Sequence, residues 1–314
     1  MRRGLMILLA DIGATNARFC VTSDCYKYEH SESLEVIDSS SIEALCNKYL
    51  NKYELTNKVS KAVIGVAAPI IEDEVAFVNA NISFSIEGLK NHLFKEGLIV
   101  VNDLALQAHA IKGLEKSELS FIGIRKGQPE EGPKILVSPG TGLGLAGIVD
   151  QQIIATEAGH LNIPQNEIKN DLKKITDSFI LKSKRAPTYE DFLSGKGIRF
   201  FYKVLSEDEG TNLSSKEILE NKNLNENCSK TKELIAYLLA SYLRYVALVW
   251  GSTGGVYLAG SIVNTLITEE VYQTFRETFE SSETMQDLLK AIPLILVTID
   301  DIGFRGALEL SKKL

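Results

Sequence analysis

The chain has 314 residues, 34 Lys and Arg against 41 Asp and Glu, a net charge of −7 and an isoelectric point near 5.3. That acidity argues against a nucleic-acid surface, which needs a basic field, but is compatible with a local basic pocket for a phosphorylated ligand. The length suffices for two packed domains, and the apolar and charged fractions are those of a soluble globular protein.

Taken along the chain, Arg2 and Arg3 precede an apolar run over 5–10, as in a signal peptide. The run is short, stops at Asp11 and has no small-residue cleavage site, so it reads as a buried strand over 6–10. Residues 11–16 carry glycine-containing turn chemistry, and 17–22 alternate as a second strand. Ser40 and Glu43 have capping-box spacing ahead of Ile42, Leu45, Tyr49 and Tyr53 at helical intervals. An apolar strand covers 61–67, and Ser85 is expected to cap a helix running through Leu93. Residues 98–101 are continuously apolar, as in a strand buried on both faces, and end at Asn102-Asp103.

The second half opens in the same way, with a strand over 135–137, a glycine turn over 138–144 and a strand over 145–149. The repeated pattern is either chance or the mark of two related α/β halves facing one cleft; it is too divergent to decide alone. Stretches 165–185 and 207–232 are rich in Lys, Asn and Glu and predict surface helices and loops. Residues 234–250 approach the length of a membrane span, but Ser241, Arg244 and three tyrosines predict a buried amphipathic helix instead. A strand follows Gly254-Gly255 over 256–260, another covers 294–299, and 301–314 closes as a helix. Four scattered cysteines, Cys20, Cys25, Cys46 and Cys228, form no CxxC pair and fit a reducing compartment.

Five places can carry chemistry. In Asp11-Ile12-Gly13-Ala14-Thr15-Asn16, Gly13 permits a tight turn, and amides and hydroxyls converging there make a concavity for phosphate. Asp11 could hold hydrated Mg²⁺ beside it. The loop is neither a Walker A motif nor a dinucleotide fingerprint, and an ordinary hairpin turn accounts for the same residues. A second glycine turn holds Gly140, Thr141, Gly142 and Gly144. Asp103, after a buried strand, points into the crevice at a sheet's carboxyl edge, where it could take the proton of a hydroxyl attacking a phosphoryl group, with Asn102 positioning that hydroxyl. Capping the helix that follows is the plainer use of the pair. Glu157, His160 and Glu190 suit the vicinal hydroxyls of a sugar, surface salt bridges or a metal pair being the alternatives. Small residues from Gly254-Gly255 to Gly260 suit an adenine ring, or tight strand–helix packing.

In order and spacing, these segments resemble the bacterial glucokinase family of the actin-like, hexokinase-type ATPase superfamily. The resemblance rests on DIGATNAR (11–18), GVAAPI (65–70), VVNDLALQA (100–108), SPGTGLG (138–144), EAGH (157–160), EDFLSGKG (190–197), GGVYLAGSI (254–262) and DDIGFRGA (300–307). Each motif is modest by itself; the ordered set is specific and runs nearly end to end.

The resemblance implies an α/β fold of two actin-like (ribonuclease H-like) domains with a ligand cleft between them. The small domain would be 1–107 with 301–314, its C-terminal helix returning to it, and the large one 108–300. It also implies ATP-dependent phosphorylation of glucose to glucose 6-phosphate, with Asp103 as catalytic base. Glucose would be held by Asn79, Asn102, Asp103, Glu157, His160 and Glu190. ATP would be held by Ala10, Asp11, Ile12, Gly13, Ala14, Thr15 and Asn16, by Gly140, Thr141 and Gly142, and by Gly254 and Gly255. Asp11 would hold Mg²⁺ through water. The family carries a tryptophan where this chain has Ile82, beside Asn79. Wider relatives bind zinc through cysteines downstream of the histidine; no cysteine follows His160 until Cys228, so no zinc is expected. A cytoplasmic homodimer without membrane or nucleic-acid partners is expected. The competing readings are a kinase for another hexose or N-acetylhexosamine, a non-catalytic sugar sensor, and a bare actin-like ATPase. The first strand at Met6 is expected to leave no room for a regulator's helix-turn-helix.

Overall fold

The structure, a computed structural model, describes residues 6–13, 15–36, 41–77, 82–123, 131–168, 170–220 and 225–314. Ala14, Ser40 and Asn79 lie outside the described residues. The chain divides into two compact units, Met1–Leu114 with Asp301–Leu314, and Glu115–Asp300.

The first unit holds β1 (Met6–Ile12), β2 (Asn16–Thr22), β3 (Glu29–Glu35), α1 (Ile42–Lys52), β4 (Val59–Val66), β5 (Ile70–Ile71), β6 (Glu74–Ala76), β7 (Ser83–Ser85), α2 (Ile86–His92), β8 (Gly97–Asn102), α3 (Asp103–Ala110) and the C-terminal helix (Ile302–Ser311). Its main sheet has the order β3-β2-β1-β4-β8, antiparallel through β3, β2 and β1 and parallel through β1, β4 and β8. Strand parity divides β1 between two cores. Leu8, Ala10 and Ile12 pack with Ile42, Leu45 and Tyr49 of α1, whereas Ile7 and Leu9 pack with Leu106 of α3 and with Phe304 and Leu308 of the C-terminal helix. Helix α3 and the C-terminal helix approach closely because position 306 is glycine: a Cβ there would run into the carbonyl oxygen of Leu106.

Two expectations change here. The cap of α1 is Ser41, whose Oγ accepts from the Ala44 N–H at 3.0 Å. Strand β8 is not buried on both faces; it lies at the edge of the sheet, and each of its residues keeps partial exposure. Ser85 caps α2 as expected, accepting from the Gly88 N–H at 2.9 Å.

The second unit holds β9 (Leu119–Phe121), β10 (Lys134–Pro139), β11 (Leu143–Val149), β12 (Gln152–Thr156), α4 (Asp171–Ser183), α5 (Tyr189–Phe192), α6 (Gly195–Ser206), α7 (Ser215–Glu220), α8 (Glu226–Trp250), β13 (Gly255–Leu258), α9 (Ser261–Leu266), α10 (Glu269–Glu280), α11 (Gln286–Ala291) and β14 (Leu294–Val297). The sheet order is β12-β11-β10-β13-β14-β9. Its first five strands repeat the order and directions of the first unit's sheet: an antiparallel hairpin and its neighbour, then two parallel strands. The doubled pattern left open by the sequence is therefore a repeat of topology.

Helix α8 begins at Glu226, well before the expected position 234, because Asn225 caps it by accepting from the Asn227 N–H at 2.8 Å. It is long and apolar enough to cross a membrane, yet most of its apolar stretch is buried inside this unit. It is the central helix of the larger core, packed against α6, α7 and α10.

Candidate functional site

In the first unit the candidate groups collect at the carboxyl edge of the sheet. The register pairs Ile12 with Val66 and Val66 with Asn102, so the turn after β1 and the start of α3 leave the same edge two strands apart, roughly 10 Å. Gly13 donates to the carbonyl of Asn16 at 2.9 Å, closing the β1–β2 turn. Asp11 lies beside Arg18 of β2 and faces the first turn of the C-terminal helix, where only glycine fits at 303 because a Cβ would meet Oδ2 of Asp11. Burial raises the Asp11 carboxyl above its ordinary range, and the Arg18 charge opposes that shift only in part.

The cap of α3 is Asn102: its Oδ1 accepts from the N–H groups of Leu104 at 3.0 Å and Ala105 at 3.3 Å. That use leaves the Asn102 amide NH₂ as the group it offers outward. Asp103 stands as the first helical residue, its Oδ1 sharing the Leu104 N–H at 2.9 Å. Ile82 is 8% exposed in the core with Val75 and Phe77.

In the second unit the β10–β11 hairpin ends at the Pro139↔Leu143 pair, and Gly140 donates to the carbonyl of Gly142 at 2.7 Å. Glu190 of α5 reaches this turn. Its Oε2 accepts from the Leu143 N–H at 2.9 Å, and a Cβ on Gly142 would sit 2.6 Å from the same oxygen. Glu190 is aimed by its own short helix, where Thr188 and Asp191 form a capping box and Arg185 grips Asp191 with two bonds of 2.6 and 2.7 Å. Gly195, opening α6, donates to the carbonyl of Gly140 at 2.9 Å.

Glu157 and the 3-10 turn Ala158–His160 complete the cluster. His160 Nε2 lies 3.8 Å from Glu157 Oε2, and its Nδ1 lies 4.0 Å from Glu190 Oε1. With the Glu157 side chain 73% and the His160 side chain 58% exposed, such pairs add little stability. Two carboxylates and an imidazole held near one another, without hydrogen bonds between them, present acceptors suited to the hydroxyls of a polyol. The segment after His160 runs beside the approach to Glu190: Tyr189 donates to the carbonyl of Leu161 at 3.0 Å, and Asn162 bridges Thr188.

A buried ionic network anchors this strap, in a stretch the sequence reads as polar surface. Glu167 is 4% exposed and accepts from Arg244 at 2.6 Å, Tyr237 at 2.8 Å and Tyr245 at 2.9 Å, all on α8. Burial alone would raise the Glu167 carboxyl; hydrogen bonds from Ser241, Tyr237 and Tyr245 and the Arg244 charge outweigh it and hold the group below its ordinary range. The legible signal was in α8: Tyr237, Ser241, Arg244 and Tyr245 recur at helical spacing on one face of an otherwise apolar run.

Gly254 and Gly255 are not brought to this cluster. Gly255 pairs with Lys134 at the start of β10, the opposite end of that strand from the Gly140 turn. Both glycines serve backbone packing: a Cβ on Gly254 would strike the carbonyl of Gly132, and Gly255 has φ +124°. Strand direction puts Gly260 at the turn instead, its missing Cβ 3.2 Å from Ser138 Oγ. A glycine after a parallel strand, unlike one before it, lies at the carboxyl edge of the sheet. Among the described residues no group of three or more His, Cys, Asp or Glu side chains gathers to hold a metal.

The family model for glucokinase matches residues 8–313. A glucokinase of Neisseria gonorrhoeae is 31% identical over 310 residues, covering 96% of this chain and 93% of its own. The crystal structure of a glucokinase from an Antarctic psychrotroph superposes with a TM-score of 0.79 at 26% identity, covering 99% of both chains. A ROK family glucokinase from Streptomyces griseus, solved with glucose and AMPPNP, gives a TM-score of 0.69 at 15% identity, covering 98% of this chain and 100% of its own. These neighbours and the repeated sheet order make this the two-domain actin-like fold. With the family match spanning nearly its whole length, the chain belongs to the glucokinase family.

Proposed function

We propose that this protein is an ATP-dependent glucokinase, transferring the γ-phosphoryl group of ATP to the 6-hydroxyl of glucose to give glucose 6-phosphate and ADP. The observation that carries the reading is the bond from the Leu143 N–H to Glu190, which ties a sugar-type carboxylate to a glycine turn suited to phosphate. In this mechanism Asp103 accepts the 6-hydroxyl proton as its oxygen attacks, and the Asn102 amide orients the sugar. Glu157, His160 and Glu190 take the remaining hydroxyls, with Asn79 added from the family resemblance.

The turns at 11–16 and 140–142 cradle the phosphates with backbone N–H groups, and Gly260 allows close approach on the nucleotide side. Transfer of this kind rests on positioning and charge stabilisation more than on covalent help from the protein. A single carboxylate, Asp11, suits Mg²⁺ kept mostly in water and phosphate oxygens, and the ion when bound neutralises phosphate charge. We place the protein in the cytoplasm, as a homodimer supplying glycolysis; sedimentation analysis tests the dimer.

The deciding experiment is ATP consumption by the purified protein with Mg²⁺, comparing glucose, mannose, fructose, N-acetylglucosamine and no sugar. Turnover confined to glucose, with glucose 6-phosphate as product, is the expected result. Turnover with another sugar overturns the substrate assignment, and ATP loss without sugar overturns the kinase.

A further inference from the structure

Helix α6 carries a group of cationic side chains outside every residue assigned above. Lys196, Arg199 and Lys203 lie at intervals of three and four, on one face of the helix, and line a half-open cavity of about 420 Å³ together with Phe200, Thr211, Asn212 and Leu213. Like charges at these intervals destabilise a helix unless something between them compensates. Little in the protein does. Among the described residues neither Lys196 nor Arg199 has a hydrogen-bond or ion-pair partner, and Lys203 donates only to the backbone carbonyl of Glu209 at 2.9 Å. The acids that follow on the chain are committed elsewhere: Glu207 to Lys174 at 2.9 Å, and Glu209 to Lys182. In a chain of net charge −7, these three cations line one cavity that has no carboxylate among its lining residues.

The cavity starts at Lys196, one residue after Gly195, whose N–H is bonded to the Gly140 turn at 2.9 Å. The cations therefore stand on the helix that abuts the phosphate turn of the same unit. Thr211 and Asn212 add side chains that can bond hydroxyls or phosphate oxygens. Lysine and arginine together with such polar groups suit a phosphate ester.

We propose that Lys196, Arg199 and Lys203 form a binding subsite for a phosphate ester, one that rests on the glucokinase reading and extends its anion recognition beyond the two glycine turns. Two phosphate esters are present in that reaction, the nucleotide and the sugar phosphate product, and the test separates them.

Titration calorimetry at 0.15 M salt, where charges beyond a Debye length of about 8 Å are largely screened, is run with ADP and with glucose 6-phosphate. The wild type is compared with the double variant Lys196→Glu, Arg199→Glu. We expect at least one ligand to bind fivefold or more weakly to the variant. A loss confined to ADP makes the cavity part of the nucleotide site, and a loss confined to glucose 6-phosphate makes it a product site. Less than fivefold change for both ligands, or no wild-type binding of either, overturns the proposal. The double variant Lys196→Gln, Arg199→Gln removes charge without reversing it and must move in the same direction. Wild-type glucose turnover is recorded on the same preparation, so a failure of the glucokinase reading shows as absent turnover, and a failure of this inference as unchanged binding.

Discussion

The main-chain N–H of Leu143 donates to Oε2 of Glu190 at 2.9 Å, so one carboxylate both stands beside His160 and holds the turn at 140–142. Glu190→Gln keeps an acceptor for that N–H but loses the charge; Glu190→Ala loses both. A hydrogen bond to a charged group is worth about 1.5–3 kcal/mol, on the order of tenfold to a hundredfold in an equilibrium. Steady-state kinetics should show a raised glucose KM for both variants, and a raised ATP KM chiefly for Glu190→Ala. Equal ATP KM values in the two would sever the carboxylate from the turn.

Asn102, and not Asp103, is the N-cap of α3. Asp103→Asn should therefore leave glucose binding within a few-fold while lowering kcat by about 10²–10⁴-fold, the usual contribution of a positioned base. Calorimetry with glucose and a coupled assay check the two halves separately. Near-normal turnover would remove Asp103 from the role of base.

Asp11 sits where burial raises its carboxyl pKa. A carboxyl whose folded pKa exceeds its unfolded value binds more protons when folded, so stability falls as pH rises from the ordinary carboxyl range through the folded pKa. Above the ordinary carboxyl range this shift is therefore a cost to the fold. Asp11→Asn should raise the melting temperature at pH 7, lose that advantage as pH is lowered toward about 4, and reduce ATP-dependent turnover. A lower melting temperature for the variant at pH 7 would contradict the assignment.

The Glu167–Arg244 pair behaves oppositely. Its carboxyl is held below the ordinary range, so its stabilisation is present above the unfolded carboxyl pKa and is lost as pH falls through the lower folded value. Removing one partner of a buried pair costs about 3–5 kcal/mol, whereas replacing both with apolar groups of similar volume is often neutral. Urea unfolding should show Glu167→Gln strongly destabilised and Glu167→Leu with Arg244→Met much less so. Because Glu167 anchors the strap that carries His160, Glu167→Gln should also raise the glucose KM more than the ATP KM. A double variant as unstable as the single one would mean the pair is not the source of the effect.

What the sequence alone determined is the set of local features whose causes are local. The β1–β2 and β10–β11 hairpins follow from alternation broken by glycine, Ser85 caps α2, and the ordered motifs were enough to identify the family. Pairing between distant strands has no local signature, so the repeated sheet order was legible only as two similar hairpins. The same limit applies to Gly254-Gly255: composition shows small residues beside a strand, but only the parallel register with β10 sets which end of that strand lies at the 140–142 turn. Glu167 read as surface because its stretch is polar; its burial depends on Arg244 and three α8 hydroxyls more than 65 residues away, which only the folded chain brings to it. Tertiary structure also set the division of labour between neighbours at Asn102 and Asp103. Either could have capped α3, and the backbone path out of β8 gave the cap to Asn102 and left Asp103 as the first residue of the helix.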